Sequence, residues 1–123
     1  MDTLKRWRVS ELAFEQQAEV FTLSKIFPKE ELYSLTSQVR RSSRSVCANL
    51  SEAYRKRRYP PHFISKLTDA DAENAETDTW LDIALSCAYA DDQQIEKIKN
   101  LNAQIGKLLG YMLQNTEDYL HNP

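Results

Sequence analysis

Glycine and proline are scarce in this 123-residue chain, with two of the first and four of the second. The prolines are Pro28, Pro60, Pro61 and Pro123, none inside a periodic segment, which leaves long helices on short connectors. No apolar run approaches the ~18 residues that cross a bilayer, and no signal-peptide pattern opens the chain. A cytoplasmic protein without membrane association is expected. Histidine is limited to His62 and His121, neither with a glutamate three residues before it, so the Glu-x-x-His pairs of a di-iron bundle are missing. There is no phosphate-binding glycine loop, no His/Cys cluster for zinc and no Cys–His couple. Glu73 and Glu76 share a helix face, but without histidine partners they read as a solvated or interfacial edge. These absences predict no enzyme, no catalytic residues, no metal and no cofactor.

Cys47 and Cys87 lack metal-ligand spacing, and their places on different helices disfavour a disulfide; both are expected to be buried small side chains. At 28% charged and 41% apolar residues, the chain is a folding mixture rather than a disordered one, long enough for a single core. A net charge of −2 argues against a generic, basic nucleic-acid binder. The distribution is uneven, however. Residues 38–58 carry Arg40, Arg41, Arg44, Arg55, Lys56, Arg57 and Arg58 against one acid, Glu52. Residues 66–82 carry Asp69, Asp71, Glu73, Glu76, Asp78 and Asp82 against one base, Lys66.

Hydrophobic periodicity predicts four helices in one domain spanning 1–123, near residues 9–27, 29–58, 61–89 and 91–120. Residues 1–8 read as a frayed lead-in from which Trp7 docks on the bundle. The first helix repeats Val9, Leu12, Ala13, Val20, Leu23 and Phe27, flanked by Phe14 and Phe21, with Ser10 as a candidate N-cap. Pro28 ends it and opens the second, where Glu30 and Glu31 suit a positive helix N-terminus. The second helix is read as one uninterrupted rod with a seam of Leu32, Leu35, Val39, Val46, Leu50 and Tyr54. Ser42, Ser43 and Asn49 break that seam, and a buried asparagine there would fix register. Tyr59-Pro60-Pro61 separates it from a third helix whose middle is poor in large apolar residues. Asp91-Asp92 begins the fourth, whose Gly106 and Gly110 mark either a close helix contact or simple tolerance of glycine. Short connectors make this an all-α, antiparallel up-down-up-down four-helix bundle.

If the second hairpin turns near Tyr59, facing residues sum to about 118. Arg40 then meets Asp78, Arg44 meets Asn74 and Glu76, and Asn49 meets Asp69. Exposed pairs of this kind contribute only ~0–1 kcal/mol each. Either the basic strip is cancelled within the chain, or it meets the acidic strip of a second subunit in a head-to-tail contact. Arg55, Lys56, Arg57 and Arg58 complement a helix C-terminus; flanked by Tyr54 and Tyr59, they also suit phosphates beside a stacked, unpaired base. Arg41-Ser42-Ser43 has the form of a basophilic kinase site, but it falls mid-helix.

The stretch QVRRSSRSVCANLSEAYRKRR, residues 38–58, resembles the signature of the bacterial four-helix bundle protein family. Its members are encoded by intervening sequences in 23S ribosomal RNA genes; relatives include the accessory variability determinant of diversity-generating retroelements. The matching positions are Pro28, Glu30 and Glu31, then Gln38, Arg40, Arg41, Ser42, Ser43, Ser45, Val46, Asn49, Leu50, Glu52, Ala53 and Tyr54. The likeness continues through WLDIALSCAY in the third helix. The resemblance implies a bundle assembling into a homopentameric ring whose basic side contacts RNA or DNA. With the charge pattern above, Arg40, Arg41, Arg44, Arg55, Lys56, Arg57 and Arg58 are the expected phosphate contacts to structured RNA or DNA. It supplies no catalytic residue. Two departures stand out: Ala53 replaces a common glycine, and the acidic DADAENAETD replaces a more neutral segment. The alternative is a scaffold whose charged strips serve self-assembly and a partner protein.

Overall fold

A computed structural model describes residues 7–120; residues 1–6 of the proposed lead-in, and His121, lie outside them. Four α-helices follow one another: α1 (Arg8–Ser24), α2 (Ser37–Arg55), α3 (Pro60–Ser86) and α4 (Asp92–Gln114). No strand occurs among the described residues. Side-chain pairs give the direction of every packed neighbour. Glu52–Lys66 and Arg41–Glu76 run antiparallel between α2 and α3. Ser24–Arg40 does so between α1 and α2, Glu19–Lys97 between α1 and α4, and Asp78–Lys99 between α3 and α4. The bundle predicted from the apolar periods is the one observed.

Apolar side chains gather in two clusters, one at each end. Trp7, Leu12, Val46, Leu50, Phe63, Leu67, Ile105 and Leu109 belong to the first; Val20, Val39, Leu81, Ile95 and Ile98 belong to the second. Each fully buried Leu, Ile or Phe contributes roughly 1.5–3 kcal/mol. Trp7 docks as expected: its ring meets Tyr54, Phe63 and Tyr119 edge-on at centroid distances of 5.3, 6.2 and 6.2 Å. It thereby joins the end of α2, the start of α3 and the segment after α4. Ala53 is fully buried in the same cluster, so its methyl fills space that glycine would leave open.

Between the clusters lies a polar layer. Gln16 Nε2 donates to Asn74 Oδ1 (3.2 Å), and Asn102 Nδ2 donates to Gln16 Oε1 (2.9 Å). Asn74 Nδ2 donates to the Asn102 carbonyl (3.0 Å), while Asn102 Nδ2 reaches the Asn74 carbonyl (2.9 Å). The hydroxyls of Ser42 and Thr77, both fully buried, pair at 2.8 Å and bring α2 into the layer. Asn49, read as the register-fixing amide, instead donates to Ser45 O of its own helix. Gly106 lies beside this layer, where an added Cβ would sit 3.7 Å from Asn74 Nδ2; a Cβ added at Gly110 would meet no other element within 4 Å, so no close contact requires that glycine.

Several boundaries differ from the sequence expectation. The second element is not one rod. Pro28 (ψ 151°) precedes a 3₁₀ turn at Lys29–Glu31, then a π-helical turn at Leu32–Thr36 in which Tyr33 leaves helical geometry (φ −100°, ψ 15°). The cause is Glu31: its carboxylate accepts the Leu35 N–H (3.3 Å), the Ser34 hydroxyl and the Tyr89 hydroxyl (2.8 Å). These bonds, from Ser34 first and then Tyr89 and Leu35, hold its pKa below the usual value; the bond to Glu31 pushes Tyr89 up to about 12. Ser10 caps nothing, because Trp7 is the N-cap residue and the Ser10 hydroxyl is buried without a partner among the described residues. α3 stops at Ser86, and Ala88 adopts a positive φ of 61° in the turn that follows. α4 starts with a capping box formed by Asp91 and Gln94, but ends at Gln114, six residues short of the expectation. Cys87 is exposed rather than buried. Cys47 is half-buried, and burial pushes its thiol up to about 11.

Two outcomes follow from the polar layer and the Glu31 anchor. Asn74→Ala strips partners from Gln16 and Asn102 and is expected to cost about 1–3 kcal/mol in urea unfolding; a loss under about 0.5 kcal/mol would show that the layer contributes little. A carboxylate with a lowered folded pKa stabilises above its ordinary pKa, and this contribution disappears as pH falls through the lowered value. Glu31→Gln is therefore expected to be less stable than the parent at neutral pH and equal to it in acid, in parallel pH-stability curves. A gap unchanged by pH would refute that role.

Candidate nucleic-acid interface

The hairpin register predicted for α2 and α3 holds, but different side chains use it. Arg41 faces α3, where Nη1 donates to Glu73 Oε2 (3.0 Å) and Nη2 to Glu76 Oε1. The bond to Glu76 raises the Arg41 pKa despite partial burial. Lys66 bridges Glu52 (2.9 Å) and Asp69 (3.6 Å), and Lys99 of α4 bridges Asp78 (2.7 Å) and Asp82. Most of the α3 acids are thus matched inside the chain, by one arginine and two lysines. Arg40 does not meet Asp78, and Arg44 meets neither Asn74 nor Glu76. Both turn toward α1.

That side holds residues that no spacing pattern groups with the arginines. Arg40 Nε donates to Ser24 Oγ at 2.7 Å. The guanidinium carbons of Arg40 and Arg44 stand 4.7 and 5.5 Å from the Phe21 ring centroid, and Lys25 Nζ stands 4.8 Å from it. Each such contact is worth about 0.5–1 kcal/mol at an exposed site. Apolar spacing places Phe21 only at the flank of the α1 seam; its offset of four from Lys25 is the signal the sequence carries.

The remaining cations cluster where α2 ends. Arg57 Nε donates to Tyr54 O (2.8 Å) and its guanidinium lies 3.8 Å from the Tyr54 ring centroid. Of the two rings expected to offer a face to a base, Tyr54 and Tyr59, the first is therefore already covered on that face. Arg55, Arg57 and Arg58 with Tyr54 line an open depression of about 280 Å³. Tyr59 and His62 are both exposed beside it, ring centroids 5.9 Å apart. Ser42 and Ser43 are fully buried, which removes the kinase-site reading.

Geometry sorts the seven cations. At 3.6 residues per turn, Arg44, Ala48, Ser51 and Arg55 fall within a sector of about 60° on α2, with Arg40 at its α1 edge. All four are exposed. Arg44, Arg55 and Arg58 form no ion pair among the described residues, whereas Arg41 and Glu52, on the α3 flank, are both paired. What emerges is a stripe whose charges are all basic, bordered on the α3 flank by neutralised pairs and on the α1 flank by Phe21 and Ser24. No group of His, Cys, Asp and Glu able to hold a metal occurs among the described residues, and no described helix is long and apolar enough to cross a membrane.

Comparison with known proteins agrees with the fold. The chain is similar to a protein with unknown function from the S23 ribosomal protein family of Bacteroides thetaiotaomicron VPI-5482, known from a crystal structure. The two share 30% sequence identity and a TM-score of 0.78, over 86% of this chain and 95% of that one. No curated protein matches the chain. The family model described as 23S rRNA-intervening sequence protein matches residues 5–111, nearly the whole bundle and all of the basic stripe. The chain belongs to the 23S rRNA-intervening sequence protein family.

Proposed function

We propose that this protein is a non-enzymatic, self-associating bundle of the cytoplasm that binds structured RNA through the basic side of α2. The observation that carries the reading is the set of arginines left over once the chain's own carboxylates are matched. Arg44, Arg55 and Arg58 make no ion pair among the described residues, while Arg41 is held by Glu73 and Glu76. Unpaired guanidinium groups on one helix face attract a polyanion, and neutralising phosphates releases counterions. Arg40 and Lys56 add to the same field, and Arg57 shapes the depression that Arg55 and Arg58 flank. Self-association is supported by large apolar side chains left in solvent on three helices: Phe14 (66% exposed), Ile64 (39%), Ile83 (37%) and Tyr111 (52%). Assembly as a ring of five is the form in which the family resemblance casts it.

Anisotropy titrations of a labelled, folded RNA hairpin at increasing salt test this. Arg55→Gln with Arg58→Gln is expected to lower the salt slope by about two, and Arg41→Gln, already neutralised in place, to leave it unchanged. Sedimentation is expected at five times the 14.3 kDa chain mass. Binding indifferent to salt, or none at about 50 mM salt, would overturn the RNA reading. A single-chain mass would overturn the assembly.

A further inference from the structure

The spacing of the cations along α2 says which form of RNA suits the stripe. Arg44 and Arg55 lie on one exposed line, eleven residues apart, which is about 16 Å of helix axis. Arg40 reinforces one end and Arg58 the other, so the charge sits in two groups rather than a continuous run. Only Ala48 and Ser51 are exposed on the line between them. Neither is bulky or acidic, and the nearest carboxylate, Glu52, is turned to Lys66 at 2.9 Å. A ligand would thus meet cations at two separated places and a low saddle between, with one hydroxyl facing it.

Single-stranded nucleic acid calls for something else, namely a groove studded with open aromatic faces on which successive bases stack. The rings along the stripe are already engaged. Phe21 is surrounded by Lys25, Arg40 and Arg44, and Tyr54 carries Arg57 on one face and meets Trp7 edge-on. Of the openly exposed rings, Phe14 and Tyr111 belong to α1 and α4, Tyr33 precedes α2 and Tyr59 follows it, so none stands between Arg44 and Arg55. An A-form duplex presents the complementary shape: two phosphate backbones on either side of a wide, shallow minor groove lined by 2′-hydroxyls.

We propose that α2 lies across the minor groove of double-stranded RNA. Arg40 and Arg44 contact one backbone, Arg55 and Arg58 the other, and Ala48 and Ser51 rest over the sugar edges between them. This rests on the RNA-binding reading above and narrows it to shape recognition of a duplex.

The test compares one blunt-ended RNA duplex, one of its strands alone and the DNA duplex of the same sequence, by anisotropy with the full chain. Duplex RNA is expected to bind several-fold more tightly than either competitor. Arg44→Gln and Arg55→Gln are each expected to reduce its salt slope by about one. Ala48→Leu keeps every charge on an exposed helical position but raises the saddle; it is expected to weaken duplex binding and spare the single strand. Circular dichroism confirms that each variant is folded. Equal or tighter binding of the single strand or of DNA, or duplex binding unaffected by Ala48→Leu, overturns the duplex assignment and leaves RNA binding standing. If no RNA of any form binds, both readings fall together.

Discussion

Three amides buried at mid-bundle set the register from which the surface follows. Gln16, Asn74 and Asn102 come from α1, α3 and α4, and each hydrogen-bonds to both of the others. An unsatisfied buried amide costs about 1–3 kcal/mol, so sliding any of these helices by a turn would strand at least two of them. An apolar layer tolerates such sliding far better, since one aliphatic contact replaces another. The Ser42–Thr77 hydroxyl pair extends the constraint to α2. Once the register is set, Arg41 must lie opposite Glu73 and Glu76, and Glu52 opposite Lys66. Arg44 and Arg55 are then left pointing outward by the same geometry.

Net charge describes this surface badly. A total of −2 implies net repulsion of polyanions, yet that sum counts acids that neighbouring cations already neutralise. Lys66 and Lys99 engage four of the α3 and α2–α3 carboxylates between them, and Arg41 engages two more. The field near α2 is set by what remains within a Debye length, about 8 Å at physiological salt, rather than by the whole chain. An acidic isoelectric point and a basic face are compatible when the acids are spent internally.

Element type was legible in the sequence because apolar spacing at a helical period survives any tertiary context. The α2–α3 register was legible too, since Tyr59-Pro60-Pro61 fixes the turn. The face was not. With the Ser42–Thr77 hydroxyl pair at the α2–α3 contact, the apolar seam gives only its centre, and one position of error exchanges Arg40 for Arg41. Distinguishing them requires knowing that Phe21 and Ser24 of α1 receive Arg40, a contact sixteen residues away in sequence. The break before α2 was hidden for a related reason. Glu31 looks like an ordinary acid at a helix start, and its bond to Tyr89, in the connector after α3, adds a distant partner to the local bonds from Ser34 and Leu35. Asn74 sat in the predicted α3 seam, but a lone amide there gives no sign of partners on two other helices.

A run of four cations suggests four equal contacts, and the structure argues otherwise. Arg57 is drawn back over Tyr54, whose ring meets Trp7, whose ring in turn meets Phe63 and Tyr119. Its charge is therefore tied to the apolar core at that end of the bundle, and removing it would disturb packing as well as charge. Arg55 lies on the exposed line with Arg44, and Arg58 stands past the last turn, so both face solvent without such a tie. Loss of affinity on changing Arg57 would consequently confound two causes, whereas loss on changing Arg55 or Arg58 reports charge alone. The same distinction separates Arg41 from Arg44. Three residues apart and identical in chemistry, one closes a hairpin and the other is available to a ligand, because about 60° around the helix axis turns Arg41 to α3 and leaves Arg44 on the exposed line.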